Sequence, residues 1–173
     1  MAAVVTPQSR ADAKVDARAG KYLIFQLDQE EFAIQVQKVR EIMGVLEITQ
    51  VPQTPPYVKG VINLRGKVIP VVDLRLKFGM AAVDYSHRTS IVVVQVGSAR
   101  EAAFMGVVVD SVAEVLQIAA GDIEDTPSFG QDVTVPYVMG LAKIKGKVKI
   151  LLDIDQVMTT RELARLDLGA VMQ

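Results

Sequence analysis

Tyr57-Val-Lys-Gly-Val-Ile-Asn-Leu-Arg-Gly-Lys-Val-Ile-Pro-Val-Val-Asp-Leu74 aligns without a gap on Tyr137-Val-Met-Gly-Leu-Ala-Lys-Ile-Lys-Gly-Lys-Val-Lys-Ile-Leu-Leu-Asp-Ile154. Seven of the eighteen positions are identical, whereas unrelated segments of that length share about one identity at ordinary residue frequencies. The likeness extends upstream: Phe32-Ala-Ile-Gln-Val-Gln-Lys-Val-Arg-Glu-Ile42 matches Met105-Gly-Val-Val-Val-Asp-Ser-Val-Ala-Glu-Val115, at an offset of 73 instead of 80. The seven extra residues of the second copy fall in Gly121 to Pro136, whose glycines, prolines and four acids read as a surface loop. The chain is therefore an internal duplication.

Within each copy the strand signals are short and regularly punctuated. Lys21–Leu27, Phe32–Val36, Val45–Thr49, Val61–Leu64 and Lys67–Asp73 serve the first copy. Ser90–Val96, Ala102–Val109, Val115–Ile118, Leu141–Ile144 and Lys147–Leu152 serve the second. The 28 Val and 12 Ile of the chain favour pleated structure over helix. Gly66 and Gly146 mark tight turns where a positive φ costs little. Five strands in under 70 residues suit a small closed barrel of SH3-like or OB-like type, because closure removes exposed edges. The expected fold is all-β: two five-stranded barrels with short helices. Residues 1–20 form a disordered leader, 21–86 the first barrel, 87–158 the second, with strand exchange between them allowed, and 159–173 a C-terminal helix and tail. Pro70 implies an edge or a bulge in its strand.

Composition removes most chemistries. The 173 residues contain no Cys, no Trp and one histidine, His87, in a polar linker. Disulfides, thiolate metal sites and cysteine nucleophiles are excluded, and a serine triad would rest on His87 alone. A net charge of −1 gives no reason to expect nucleic acid. No apolar run approaches the ~20 residues needed to span a bilayer, so direct membrane insertion is not expected, and the leader lacks the apolar block of a secretory signal.

The remaining candidates read first as structure. Gly60-x5-Gly66-Lys67 has five residues between its glycines and Val68 after its lysine, so it is a hairpin and not a phosphate loop. Asp73 and Asp153, matched at strand ends, read as caps of the following turns in preference to an acid/base or metal pair. Lys143, Lys145, Lys147 and Lys149 alternate along a hairpin and read as a solvated row. With stacking aromatics they would make a nucleic-acid-binding barrel, the alternative reading, but only nine aromatics exist and Phe25, Phe32 and Phe104 carry core patterning. Tyr57 to Met80 holds Lys59, Arg65, Lys67, Arg75 and Lys77 against Asp73 alone, a basic patch suited to docking a protein.

The stretch Val58 to Arg75 closely resembles the signature of the CheW family of bacterial chemotaxis coupling proteins. The resemblance continues through Glu31 to Ile34, Lys38 to Ile42, Gly106 to Asp110 and Val115-Leu116. It covers about Lys21 to Leu168. It implies two intertwined five-stranded barrels and a non-catalytic, cytoplasmic adaptor without cofactor or metal. Such an adaptor bridges the cytoplasmic tips of chemoreceptors to the regulatory domain of the histidine kinase CheA. By motif position the resemblance assigns receptor binding to Arg65, with Asn63 orienting its loop, and further partner contacts to Val39, Glu41, Lys59 and Gly60. For an adaptor that must hold both partners at once, the physical expectation is that a groove between the barrels receives the receptor hairpin while a barrel end packs on the kinase regulatory domain through apolar, main-chain-rich contact.

Overall fold

A computed structural model describes residues 17–97, 102–125 and 136–158. The first sixteen residues of the expected leader and the expected helix at 159–173 lie outside them. Strands β1 (Gly20–Leu27) and β2 (Glu30–Gln35) form a hairpin, followed by a 3-10 turn at Val36–Lys38 and β3 (Val39–Gly44). The hairpin of β4 (Val58–Leu64) and β5 (Lys67–Asp73) leads into the one-turn helix α1 (Leu74–Lys77). The second copy repeats this with β6 (Ser90–Val96), β7 (Ala103–Val109), β8 (Ser111–Ile118), the short β9 (Ile123–Glu124), β10 (Val138–Ile144), β11 (Lys147–Leu152) and α2 (Ile154–Val157).

Two sheets result, ordered β8-β1-β2-β11-β10-β9 and β3-β6-β7-β5-β4. Each is closed by one segment that pairs at both ends. The chain leaving β3, which pairs with β6, reaches β4 five residues later, where Thr49 and Val61 exchange backbone hydrogen bonds of 2.9 and 2.8 Å. The chain of β8 pairs with β1 and, through β9, with β10. Both sheets are therefore five-stranded barrels, and each takes two strands from one copy and the rest from the other. The β3–β7 barrel is called the first here, and the other the second. Parallel pairs β5–β7 and β11–β2 join the copies.

The strand expected at Val45–Thr49 lies earlier, at Val39–Gly44, because β3 is aligned by its partner β6 and only Thr49 of the later segment pairs. Pro70 sits inside an inner strand, yet the ladder to β7 begins only at Val71, so its missing N–H breaks no pair on that side.

Alternation along the strands divides the apolar residues between three cores. Tyr22 and Ile24 point into the second barrel, Ile91 and Val93 into the first. Their neighbours Leu23, Phe25, Leu27, Val92, Val94 and Val96 point outward into a layer between the barrels. Among the described residues this layer holds eighteen buried side chains, against seven and six in the barrel interiors. Strands buried on both faces read as continuous apolar runs, which is the pattern of Ile91-Val-Val-Val94. Phe25, Phe32, Phe78 and Tyr137 stack in series through the layer, with centroid separations of 5.8, 5.8 and 4.7 Å.

Candidate functional site

The β4–β5 hairpin is a two-residue turn in which Arg65 (φ 52°) and Gly66 (φ 86°) both take left-handed backbone, the conformation whose twist matches the strands. For Arg65 that conformation is costly, and Asn63 holds it: its side-chain oxygen accepts the N–H of Gly66 at 2.9 Å. Asn63 therefore orients the loop from within. The equivalent hairpin has the same angles at Lys145 and Gly146, but Lys143 stands at the position of Asn63 and has no acceptor to offer.

Arg65 is 77% exposed at its side chain, and its Nη2 donates to Glu41 Oε1 on β3 at 3.0 Å. The pair lies on the rim of a 390 Å³ pocket at the mouth of the first barrel. All five strands contribute: Arg40 and Glu41 from β3, Leu64 from β4, Lys67 and Ile69 from β5, Val93 from β6 and Phe104 from β7. Lys67 Nζ stands 5.0 Å over the Phe104 ring, and Arg40 donates to the Gln95 side chain. The floor is apolar. Three bases against Glu41 give the rim a net +2.

The structure thus brings Arg65, Asn63 and Glu41 together and disperses the other candidates. Lys59 lines a separate 230 Å³ pocket with Gln50, Thr54 and Pro55, its Nζ 5.7 Å from the centroid of Tyr85. Val39 packs against the inter-barrel layer. A side chain at Gly60 (φ 142°) would lie 2.0 Å from the carbonyl oxygen of Thr49, so this glycine permits the closure of the barrel. No open groove between the barrels carries Arg65, because that space is packed and the arginine stands at a barrel mouth. Of the pocket residues, Lys67 belonged to the basic patch read from sequence, but Arg40, Leu64, Ile69, Val93 and Phe104 were not singled out as a site. Phe104 in particular is only half-buried at the mouth.

The expected caps are in place. Asp73 is buried, accepts the N–H of Leu76 at 3.4 Å and the Tyr85 hydroxyl at 2.9 Å. Burial, with the Asp73 carboxylate beside it, pushes the Tyr85 hydroxyl well above its usual range. Asp153 accepts the N–H of Asp155 at 3.1 Å, and burial raises its carboxyl, opposed by that bond. The lysine row is not uniform: Lys149 is buried and pairs with Glu31 at 2.7 Å. Phe25 and Phe32 are buried too, so no basic strip interleaved with exposed aromatics forms on these strands. No helix among the described residues is long and apolar enough to cross a membrane.

A duplicated, strand-exchanged pair of barrels with a shallow, cation-rimmed mouth is a binding scaffold. The description "CheW-like domain" matches residues 21–162. The chemotaxis protein CheW of Klebsiella aerogenes is 37% identical over 147 residues, covering 85% of this chain and 86% of that protein. The CheW of Rhizobium meliloti is 36% identical over 151 residues, covering 87% and 95%. In the crystal structure of the scaffolding protein TtCheW from Thermoanaerobacter tengcongensis, 83% of this chain superposes on 95% of that one with a TM-score of 0.73 at 30% identity. The chain belongs to the CheW family and is a chemotaxis coupling adaptor.

Proposed function

We propose that the chain couples the cytoplasmic tips of chemoreceptors to the regulatory domain of CheA, with the receptor docking at the mouth of the first barrel. The observation that carries this reading is the Arg65–Glu41 pair. A guanidinium is presented at the tip of a turn that Asn63 holds, paired with Glu41 beside it, over an apolar floor. Arginine offers five donors in a rigid fork and recurs at interface hot spots when its surroundings exclude water. The kinase contact belongs elsewhere on the molecule, since an adaptor must hold both partners at once, and Lys59 and Val39 lie apart from the mouth.

Arg65→Ala is expected to weaken binding of a receptor cytoplasmic fragment by at least ~2 kcal/mol, about thirty-fold, in calorimetric titration. The same variant should still co-elute with the CheA regulatory domain. An unchanged receptor dissociation constant would remove the mouth from the receptor interface.

A further inference from the structure

The duplication provides an internal comparison of the two barrel mouths. By the offsets of 80 and 73, Leu64, Arg65, Lys67 and Ile69 correspond to Ile144, Lys145, Lys147 and Lys149, and Phe104 corresponds to Glu31. Glu41 corresponds to Glu114. The apolar floor residues Ile69 and Phe104 of the first mouth are thus replaced in the second by Lys149 and Glu31. These two are register partners in the parallel β11–β2 pair, and their side chains meet at 2.7 Å. Lys149 is 5% exposed although it lies on the same face of β11 as Leu151, which points into the barrel. The covering lysine is retained in both: Lys67 stands 5.0 Å from the centroid of Phe104, Lys147 3.9 Å from the Glu31 carboxylate.

We infer that Glu31 and Lys149 seal the second mouth and make the chain one-sided. The first mouth takes an apolar group carrying negative charge beside it, matched to its floor and its +2 rim, and the second takes none. A buried ion pair contributes little net stability compared with well-packed apolar residues, so in this reading Glu31 and Lys149 serve specificity and not stability. The consequence for a coupling protein is direct. Two equivalent mouths would accept two copies of one partner, and the chain would cross-link like to like instead of joining unlike partners. This inference rests on the reading of the first mouth as a docking site.

The probe for the test is 1-anilinonaphthalene-8-sulfonate, an aromatic anion, titrated by fluorescence against cooperatively folding protein. Wild type should show one site. Phe104→Glu/Ile69→Lys, which transplants the seal, should weaken that site at least tenfold. Glu31→Phe/Lys149→Ile, which removes it, should create a second site of similar affinity, lost again on adding Lys145→Glu. The inference is overturned by no site in wild type, by a site that survives the transplanted seal, or by one site only in a folded Glu31→Phe/Lys149→Ile. Should that last variant not fold, the transplant alone decides. No receptor enters these titrations. A receptor fragment that ignored wild type would therefore sink the proposed function and leave the seal standing, and the reverse holds for a failed titration.

Discussion

Replacing Gly60 by alanine should open the first barrel at its closing seam. An ideal Cβ there lies 2.0 Å from the Thr49 oxygen and 2.7 Å from its carbon, both backbone atoms that cannot rotate away. Relief requires β4 and the Thr49 segment to part, which breaks the reciprocal Thr49–Val61 hydrogen bonds of 2.9 and 2.8 Å. Each is worth about 1 kcal/mol net. Forcing a side chain into φ 142° adds roughly 1–3 kcal/mol of backbone strain. The loss should then be about 3–5 kcal/mol, a large part of the roughly 5–15 kcal/mol that holds a domain together. Urea unfolding followed by circular dichroism measures it, and faster amide exchange at Thr49 and Val61 locates it. Gly140 is the internal control. Its added Cβ would meet the Glu124 oxygen and an Arg18 side-chain nitrogen, both at 2.9 Å, and its φ is not positive, so Gly140→Ala should cost less, about 1–2 kcal/mol. If Gly60→Ala lies within 1 kcal/mol of wild type, or the two alanines cost the same, the closure argument fails. Any loss of partner binding in Gly60→Ala should track the unfolded fraction, since this glycine acts through the backbone.

Other perturbations test the inter-barrel ties and the cap. Burial pushes the Asp110 carboxyl up, but the Arg75 guanidinium (2.6 and 2.7 Å) and the Asp28 N–H (2.7 Å) outweigh it and hold it below the ordinary range. A depressed folded pKa contributes stability above the ordinary value of 3.8 that vanishes as pH falls through the folded one. Asp110→Asn should therefore cost about 2 kcal/mol in urea at pH 7, and this cost should shrink as the pH falls below 3.8 and through the depressed folded pKa. A gap that stayed constant with pH would refute this. Tyr85→Phe leaves buried Asp73 without its hydroxyl donor and should cost about 1–2 kcal/mol at pH 7. Because the folded Tyr85 pKa is raised, its contribution is lost as pH rises above 10, so wild type should converge on the variant in alkaline unfolding series.

The barrels were legible because the repeat is dense where turns and ladders demand it: Gly66 and Gly146, Asp73 and Asp153, Tyr57 and Tyr137. Even a backbone bond repeats, the N–H of Asp73 to the oxygen of Tyr57 and of Asp153 to that of Tyr137, each 2.8 Å. The Arg65 turn was legible for the same reason. What escaped was long-range. β3, Val39-Arg-Glu-Ile-Met-Gly44, carries two adjacent charges because Arg40 and Glu41 line the mouth, so the more apolar Val45–Thr49 looked like the strand. Lys149 looked solvated because Glu31 lies 118 residues away. Phe104 looked like core because a mouth and an interior share the same alternation.

The exchange of strands could not be read from periodicity at all, since the hairpins β1–β2, β4–β5, β6–β7 and β10–β11 are identical with or without it. Charge discriminates where pattern does not. In the exchanged fold α1 faces the β7–β8 turn, and Arg75 meets Asp110; α2 faces the β2–β3 turn, and Asp155 meets Lys38 at 2.9 Å. Each acid also holds the first amide after a neighbouring strand, Asp110 that of Asp28 and Asp155 that of Gly97. Arg75 and Asp155 are matched positions of opposite sign. Were each copy to form its own barrel, β5 would lie beside β2, setting Arg75 against Lys38, and β11 beside β7, setting Asp155 against Asp110. Both would be like-charge meetings, so the inversion works against the unexchanged fold. Exchanging the signs with Lys38→Asp/Asp110→Lys should then cost about 2 kcal/mol or more, the pairs being partly exposed. Adding Arg75→Asp and Asp155→Arg should restore the ion-pair part of it but not the amide bonds of Asp28 and Gly97, so the quadruple variant should be clearly more stable than the double. A quadruple variant no more stable than the double would show that the signs at these four positions do not select the exchange.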